Sequence, residues 1–213
     1  MKRFSIFLLF LIVGCALNAQ DDYRNYVLSR TMLNGTGTSY LDNITYYDGL
    51  GRPFQTVQKA VQSGLPVNKN LATLQEYDAA GREWNSWLPT FAGSSDYLAP
   101  AGIKSSAPGN YDNDSRPYSQ PVYKASPLNR LTAQYGPGAA WYNAGRPVKT
   151  EYLLNTNASP LKCIKYDVSS TGGLTGNSTT FYTSGELSVV KTTDEDLNVS
   201  YSFTDKQGRT VLT

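Results

Sequence analysis

The chain has 213 residues, with 19 Lys and Arg against 17 Asp and Glu scattered without a basic stripe, and it contains no histidine. The first feature argues against a nucleic-acid surface; the second removes the usual general base, the commonest metal ligand and every Ser-His or Cys-His nucleophile pair. Sixteen tyrosines among many Thr, Ser, Asn and Gly suit pleated strands and turns, so a mainly β fold is expected, with no catalytic centre, cofactor or metal.

Residues 1–19 read as a signal peptide. Lys2 and Arg3 give a charged start, Phe4 to Val13 an apolar run, and small residues precede Gln20-Asp21-Asp22. The run is too short for a stable membrane span, and no later segment approaches the roughly 18 apolar residues such a span needs. Two cleavage readings fit. Ile12-Val13-Gly14-Cys15 has lipobox form, which would place acyl chains on Cys15 and tether the protein to a membrane. Leu17-Asn18-Ala19 fits ordinary signal peptidase, and cleavage there, the favoured reading, gives a soluble product. A secreted or cell-surface, outer-membrane location is expected. If Cys15 leaves with the leader, Cys163 has no disulfide partner and packing must supply the stability. Cys163 itself reads as a small, half-buried strand residue within Leu161-Lys162-Cys163-Ile164.

The segment 20–88 reads as a run of β-hairpins. Tyr26 to Leu33, the turn Asn34-Gly35-Thr36-Gly37 and Tyr40 to Tyr47 form the first. Tyr46-Tyr47-Asp48-Gly49-Leu50-Gly51-Arg52 then leads into Phe54 to Val61. Leu71 to Tyr77 feeds Glu76-Tyr77-Asp78-Ala79-Ala80-Gly81-Arg82, and Glu83 to Leu88 leaves it. Near the end, Phe203-Thr204-Asp205-Lys206-Gln207-Gly208-Arg209 repeats the frame aromatic-Asp-x-x-Gly-Arg, with Thr204 where the other copies carry Tyr. The frame has a physical basis. Asp at the first position of a type I turn accepts a hydrogen bond from the backbone two residues on, and Gly at the fourth takes the left-handed conformation that closes a bulged hairpin. Tyr47 with Arg52, and Tyr77 with Arg82, then flank each hairpin base, where the guanidinium is expected across the cross-strand ring.

Residues 89–147 carry prolines at 89, 100, 108, 117, 121, 127, 137 and 147, so extended loops are expected there. One short helix is expected at 127–135, with Ser126 as N-cap, Pro127 at the first helical position and Gly136 as the stop. In 148–213, strands are expected at Thr180 to Tyr182, Leu187 to Lys191, Val199 to Phe203 and from Thr210. Asp194-Glu195-Asp196-Leu197-Asn198 has the first ligand positions of a calcium loop, but Val199 stands where such loops need Gly, and a solvated turn is the better reading. The final strand offers an open edge with no capping element, which reads as the N-terminal portion of a longer array. Trp84, Trp87 and Trp141 could form a carbohydrate platform. The blander alternative is that they pin the loops onto the sheet.

The leader and the Asp-x-x-Gly-Arg turns together resemble the N-terminal region of secreted Rhs/YD-repeat proteins of the Bacteroidetes type. So do four stretches in order: Tyr40-Leu41-Asp42-Asn43-Ile44-Thr45-Tyr46-Tyr47-Asp48-Gly49-Leu50-Gly51-Arg52-Pro53, Ser126-Pro127-Leu128-Asn129-Arg130, Gly136-Pro137-Gly138-Ala139-Ala140-Trp141 and Thr204-Asp205-Lys206-Gln207-Gly208-Arg209. The resemblance implies a non-enzymatic segment of a β shell that encloses or displays a C-terminal cargo. The partners it implies are the rest of that shell or the cargo, with glycan as the alternative and a membrane only through Cys15. With three such turns, the chain is too short to close a shell.

Overall fold

The computed structural model of the chain describes residues 24–62, 69–93, 96–176 and 179–213. The leader at 1–19 and the lipidation of Cys15 lie outside the described residues. In chain order the elements are β1 (Asn25–Met32), β2 (Tyr40–Tyr47), β3 (Pro53–Gln62), β4 (Lys69–Tyr77), β5 (Glu83–Phe91), α1 (Pro100–Ser106), β6 (Tyr118–Tyr123), β7 (Leu131–Tyr135), α2 (Ala139–Asn143), β8 (Val148–Leu154), β9 (Asp167–Val168), β10 (Leu174–Thr175), β11 (Ser188–Thr193), β12 (Val199–Thr204) and β13 (Thr210–Leu212). Eleven strands form one antiparallel sheet in the order β1 to β8, then β11, β12 and β13, and β9 with β10 makes a separate small hairpin. The fold is mainly β, and each strand of the large sheet pairs with its sequence neighbours in it.

One face of the sheet carries the core. Alternation puts Asp42, Ile44 and Tyr46 of β2, Gln55 and Val57 of β3 and Asn70, Ala72 and Leu74 of β4 on the buried side. The segment between β5 and β6 folds over them, contributing Tyr97, Leu98 and Ile103. The pairings Trp87 with Tyr118, Gln120 with Tyr135 and Ala133 with Lys149 carry the same face across the middle strands to Leu153, Val189 and Phe203. There a second covering segment, 155–187, lays Leu161, Cys163, Tyr182 and Leu187 on the sheet. Across β2 to β4 the opposite face is mostly polar, with Thr45, Thr56 and Thr73 in one cross-strand row and Asn43 beside Gln58 in another.

A buried asparagine fastens the second cover. Asn155 is fully buried, its Oδ1 accepts from the Leu187 amide at 2.8 Å, and its Nδ2 donates to the Thr183 carbonyl at 2.9 Å. Its backbone exchanges bonds with Leu187 and Gly185, so the ends of the excursion are tied at one residue.

Three expectations are corrected. Residues 127–135 are not a helix: Lys124 donates to the Arg130 carbonyl, Asn129 closes the reversal at φ 49°, and 131–135 form β7. Leu131-Thr132-Ala133-Gln134-Tyr135 is flanked by β6 and β8, which satisfy its backbone groups on both sides, and that pairing outweighs the cap signals of Ser126 and Pro127. The short helices instead sit at α1 and α2. Within 89–147 the loops are interrupted by the end of β5 at Phe91 and by β6 and β7, which carry the sheet onward. Pro121 is tolerated because it falls past the last β5–β6 pair, where half of the strand's donors have no ladder to serve. Finally, 180–182 is no strand; Phe181 makes a single bridge to Ile164, and Cys163 is buried in that cover and not in a strand.

Because Asn155 satisfies buried groups on both ends of the second cover, Asn155→Ala is expected to cost about 2 kcal/mol in urea unfolding. A loss within error of zero would mean that the cover is held by its apolar contacts alone.

Candidate functional site: a row of turns and the aromatic loops

The three Asp-x-x-Gly-Arg segments are superimposable in their bonding. In the first, the Asp48 amide donates to the Arg52 carbonyl at 2.9 Å and the Gly51 amide to the Asp48 carbonyl at 3.0 Å. The Asp48 carboxylate takes the Leu50 and Arg52 amides on Oδ1, both at 2.9 Å, and Arg52 Nε on Oδ2 at 2.8 Å. Asp78 and Asp205 repeat every bond with their own Arg82 and Arg209. Gly51, Gly81 and Gly208 stand at φ 76°, 78° and 81°, the left-handed region where a side chain is strained. Each turn coincides with a bulge in the ladder, at Tyr46/Tyr47, Gln75/Tyr77 and Phe203/Thr204.

Two further reversals share the geometry without the motif. Asp194 accepts the Asp196 and Asn198 amides on Oδ1, Asn198 Nδ2 replaces the guanidinium on Oδ2 at 2.8 Å, and Leu197 occupies the glycine position at φ 70°. Ser169 does the same with one oxygen, taking the Gly173 amide on Oγ at 3.0 Å, with Gly172 at φ 81°. The solvated turn expected at 194–198 is present, and its likeness to the repeat frame lies in the acceptor four residues before the strand restart, whereas no motif singled out Ser169. No cluster of three or more Cys, Asp or Glu suited to a metal occurs among the described residues.

The arginines do not lie on the rings of their own hairpins as expected. Arg52 sits over Tyr77, 4.3 Å from the ring centroid, and Arg82 over Tyr123 at 4.4 Å. Register explains this: each arginine starts a strand whose outer neighbour ends in the tyrosine directly across, so the stack joins one hairpin to the next. Arg52 also closes on the following turn, its Nη1 lying 3.0 Å from where a Gly81 side chain would begin. The side chains of Arg52 and Arg82 are 30% and 26% exposed, whereas Arg209 is 75% exposed, with no ring over it among the described residues.

The three tryptophans do not converge. Trp87 belongs to the covered face, where its Nε1 donates to Glu76 at 2.9 Å and its ring packs on Tyr118. Glu76 also takes Asn85 Nδ2 and the Lys104 ammonium of α1. Burial alone would raise its carboxyl, but these donors outweigh it and hold the group below the ordinary glutamate range. Trp84 lines a cleft of about 260 Å³ on the uncovered face with Gln75, Ser86 and Gln134. Trp141 projects from α2, half exposed. A single platform of all three is therefore not formed, and Trp87 serves as the pin that the blander alternative describes.

Donors within each turn, foremost the arginine backbone amide, hold Asp48, Asp78 and Asp205 below the ordinary aspartate range. Folded values lower than the unfolded value near 3.9 mean a contribution fully present above about pH 4 and lost as pH falls through the folded values. The urea midpoint is expected to be flat from pH 7 to about 5 and to fall below about 4. Asp78→Asn, which keeps the Oδ1 acceptor but not the charge, should start lower and fall less steeply; an unchanged acid slope would place the effect elsewhere. Gly51→Ala, into open space, should cost about 1 kcal/mol from left-handed strain. Gly81→Ala should cost more because it also displaces Arg52, and equal losses would contradict the interlock.

The family model described as a domain of unknown function (DUF6443) matches residues 20–154. No curated protein and no solved structure matches the chain. The matched segment holds β1 through β8, the turns at Asp48 and Asp78, and the α2 excursion that bears Trp141. With more than half of its length inside that match, the chain belongs to the DUF6443 family.

Proposed function

We propose that the protein is a non-enzymatic structural scaffold: the opening segment of an Rhs/YD-type β shell, exported by its leader, that encloses or displays a cargo. The observation that carries this reading is the offset stacking of each turn arginine on the tyrosine of the next hairpin, at Arg52–Tyr77 and Arg82–Tyr123. Such stacking makes each hairpin a platform for the following one, so a wall grows by addition, as in repeat proteins whose units contact only their neighbours. The turn carboxylates have their donors within their own turns, which spends them on architecture. Arg209 continues the series, on a strand whose outer edge has no neighbour among the described residues. The partner of that edge, in this reading, is further YD-type strand. Attachment to a membrane would follow only from lipidation of Cys15.

The reading predicts that purified protein lacking residues 1–19 self-associates through the β13 edge as concentration rises. A charged side chain on that edge should oppose pairing, so Leu212→Lys is expected to lower the association constant by roughly tenfold, about 1.4 kcal/mol. Sedimentation velocity reads both. A stable monomer across the accessible concentration range, with exchange-labile amides at Thr210 to Leu212, would retire the scaffold reading.

A further inference from the structure

One feature of the molecule lies outside the wall. Between β7 and β8 the chain leaves the sheet to form α2, a five-residue helix with an indole held outward on a rigid mount. Asp114 fixes the start of the helix, taking the Ala139 amide at 2.9 and 3.0 Å on its two oxygens while also accepting the Arg116 amide. The Gly138 amide donates to the Arg116 carbonyl at 2.8 Å. Tyr142 is pinned between the Arg116 guanidinium, 3.5 Å from its centroid, and the Tyr135 ring at 4.8 Å. The residue before it points about 100° away around the helix, and that residue is Trp141, 50% exposed. A large aromatic surface held in solvent by this much fixed structure forgoes burial that a mobile side chain could regain.

The indole borders a trough on either side. One part, about 310 Å³, is lined by Gly136, Pro137, Trp141, Arg146, Glu195 and Asp196; the other, about 300 Å³, by Ala140, Trp141, Ala144 and Arg146. The far wall is the Asp194 turn, which lies some fifty residues along the chain and is latched by Arg146 Nη1 to the Glu195 carbonyl at 3.0 Å. Arg146 stands 3.9 Å from the Asp196 carboxylate, and their side chains are 42% and 77% exposed. An indole, a guanidinium donor, the Asp196 carboxylate and the Glu195 carbonyl therefore meet in one open trough.

We propose that Trp141, Arg146, Glu195 and Asp196 form a binding site for a neutral oligosaccharide, with a pyranose ring stacked on the indole and its hydroxyls bonded to the charged groups. A sugar ring presents a C–H face to the indole and, at its rim, hydroxyls that both donate and accept, which matches a wall carrying both kinds of partner. A cationic ligand would have to displace Arg146 from Asp196, and an anionic one would meet the Asp196 carboxylate beside the only guanidinium lining the trough among the described residues. The site stands apart from the turn row and from the β13 edge, so it does not depend on the scaffold reading.

The test is binding of the protein without its leader to a panel of neutral gluco-, xylo-, manno- and galacto-configured hexasaccharides, with hexalysine as the cationic control, followed by calorimetry on any binder. Binding of at least one neutral hexasaccharide is expected. Trp141→Ala should weaken it at least tenfold, Trp141→Phe should retain most of it, Asp196→Asn should weaken it severalfold, and Trp84→Ala, in the other cleft, should leave it unchanged. Absence of binding to every hexasaccharide, binding of hexalysine in their place, or affinity that survives Trp141→Ala overturns the proposal. Should Trp141→Ala fail to fold, unchanged affinity in Asp196→Asn, at an exposed position, overturns it equally.

Discussion

In each Asp-x-x-Gly-Arg turn a single carboxylate receives two backbone amides and a guanidinium from residues no more than four positions away, while the glycine takes a conformation closed to most side chains. That local closure sets where one strand ends and the next begins, and because side chains alternate across a strand, it also sets which face each residue reaches. A slip of one residue at Asp48 would send Ile44 and Val57 to the polar side and Thr45 and Thr56 to the core. The apolar cluster beneath the first cover and the cluster beneath the second therefore both inherit their order from reversals closed by polar side chains and backbone amides.

The variants show which part of the turn is essential. At Asp194 the glycine is replaced by Leu197 and the arginine by Asn198, and at Ser169 the carboxylate is reduced to a hydroxyl, yet the amide at the fifth position still finds its acceptor. Backbone closure needs only a short oxygen-bearing side chain and a positive φ. The arginine adds a different function, for it is the member that reaches beyond its own hairpin. At Asp48 and Asp78 it stacks on the following tyrosine, and at Asp194, where Asn198 stands in place of the arginine, no such stack occurs among the described residues.

Covering segments complete the sheet on one face only. Both leave it at strand ends, and each is tied down by polar contacts: Glu76 to Lys104 in the first, and the buried Asn155 to Leu187 and Thr183 in the second. Across β2 to β4 the uncovered face is a field of Thr, Asn and Gln, suited to solvent or to a polar neighbour. Against this regular wall the α2 excursion stands out, since its rigid mounting holds Trp141 in solvent and off the sheet.

Much of the wall was legible in the chain itself. Asp48, Asp78 and Asp205 with their glycines announce tight bulged reversals because the bonds that make them span five residues, and β2, β3 and β4 show a period-two pattern that no distant contact needs to correct. Three things only the tertiary structure decided. Leu131 to Tyr135 follows good helix-start residues, but flanking strands on both sides satisfy its backbone better than a two-turn helix could. Arg52 and Arg82 could each have met the ring of their own hairpin, and the sheet register gave them the next one. Trp84, Trp87 and Trp141 are equivalent as letters, and only the packing around them turned one toward the core, one toward the open face and one out to solvent. Interactions closed within a few residues are written in sequence; those that depend on which distant strand arrives alongside are not.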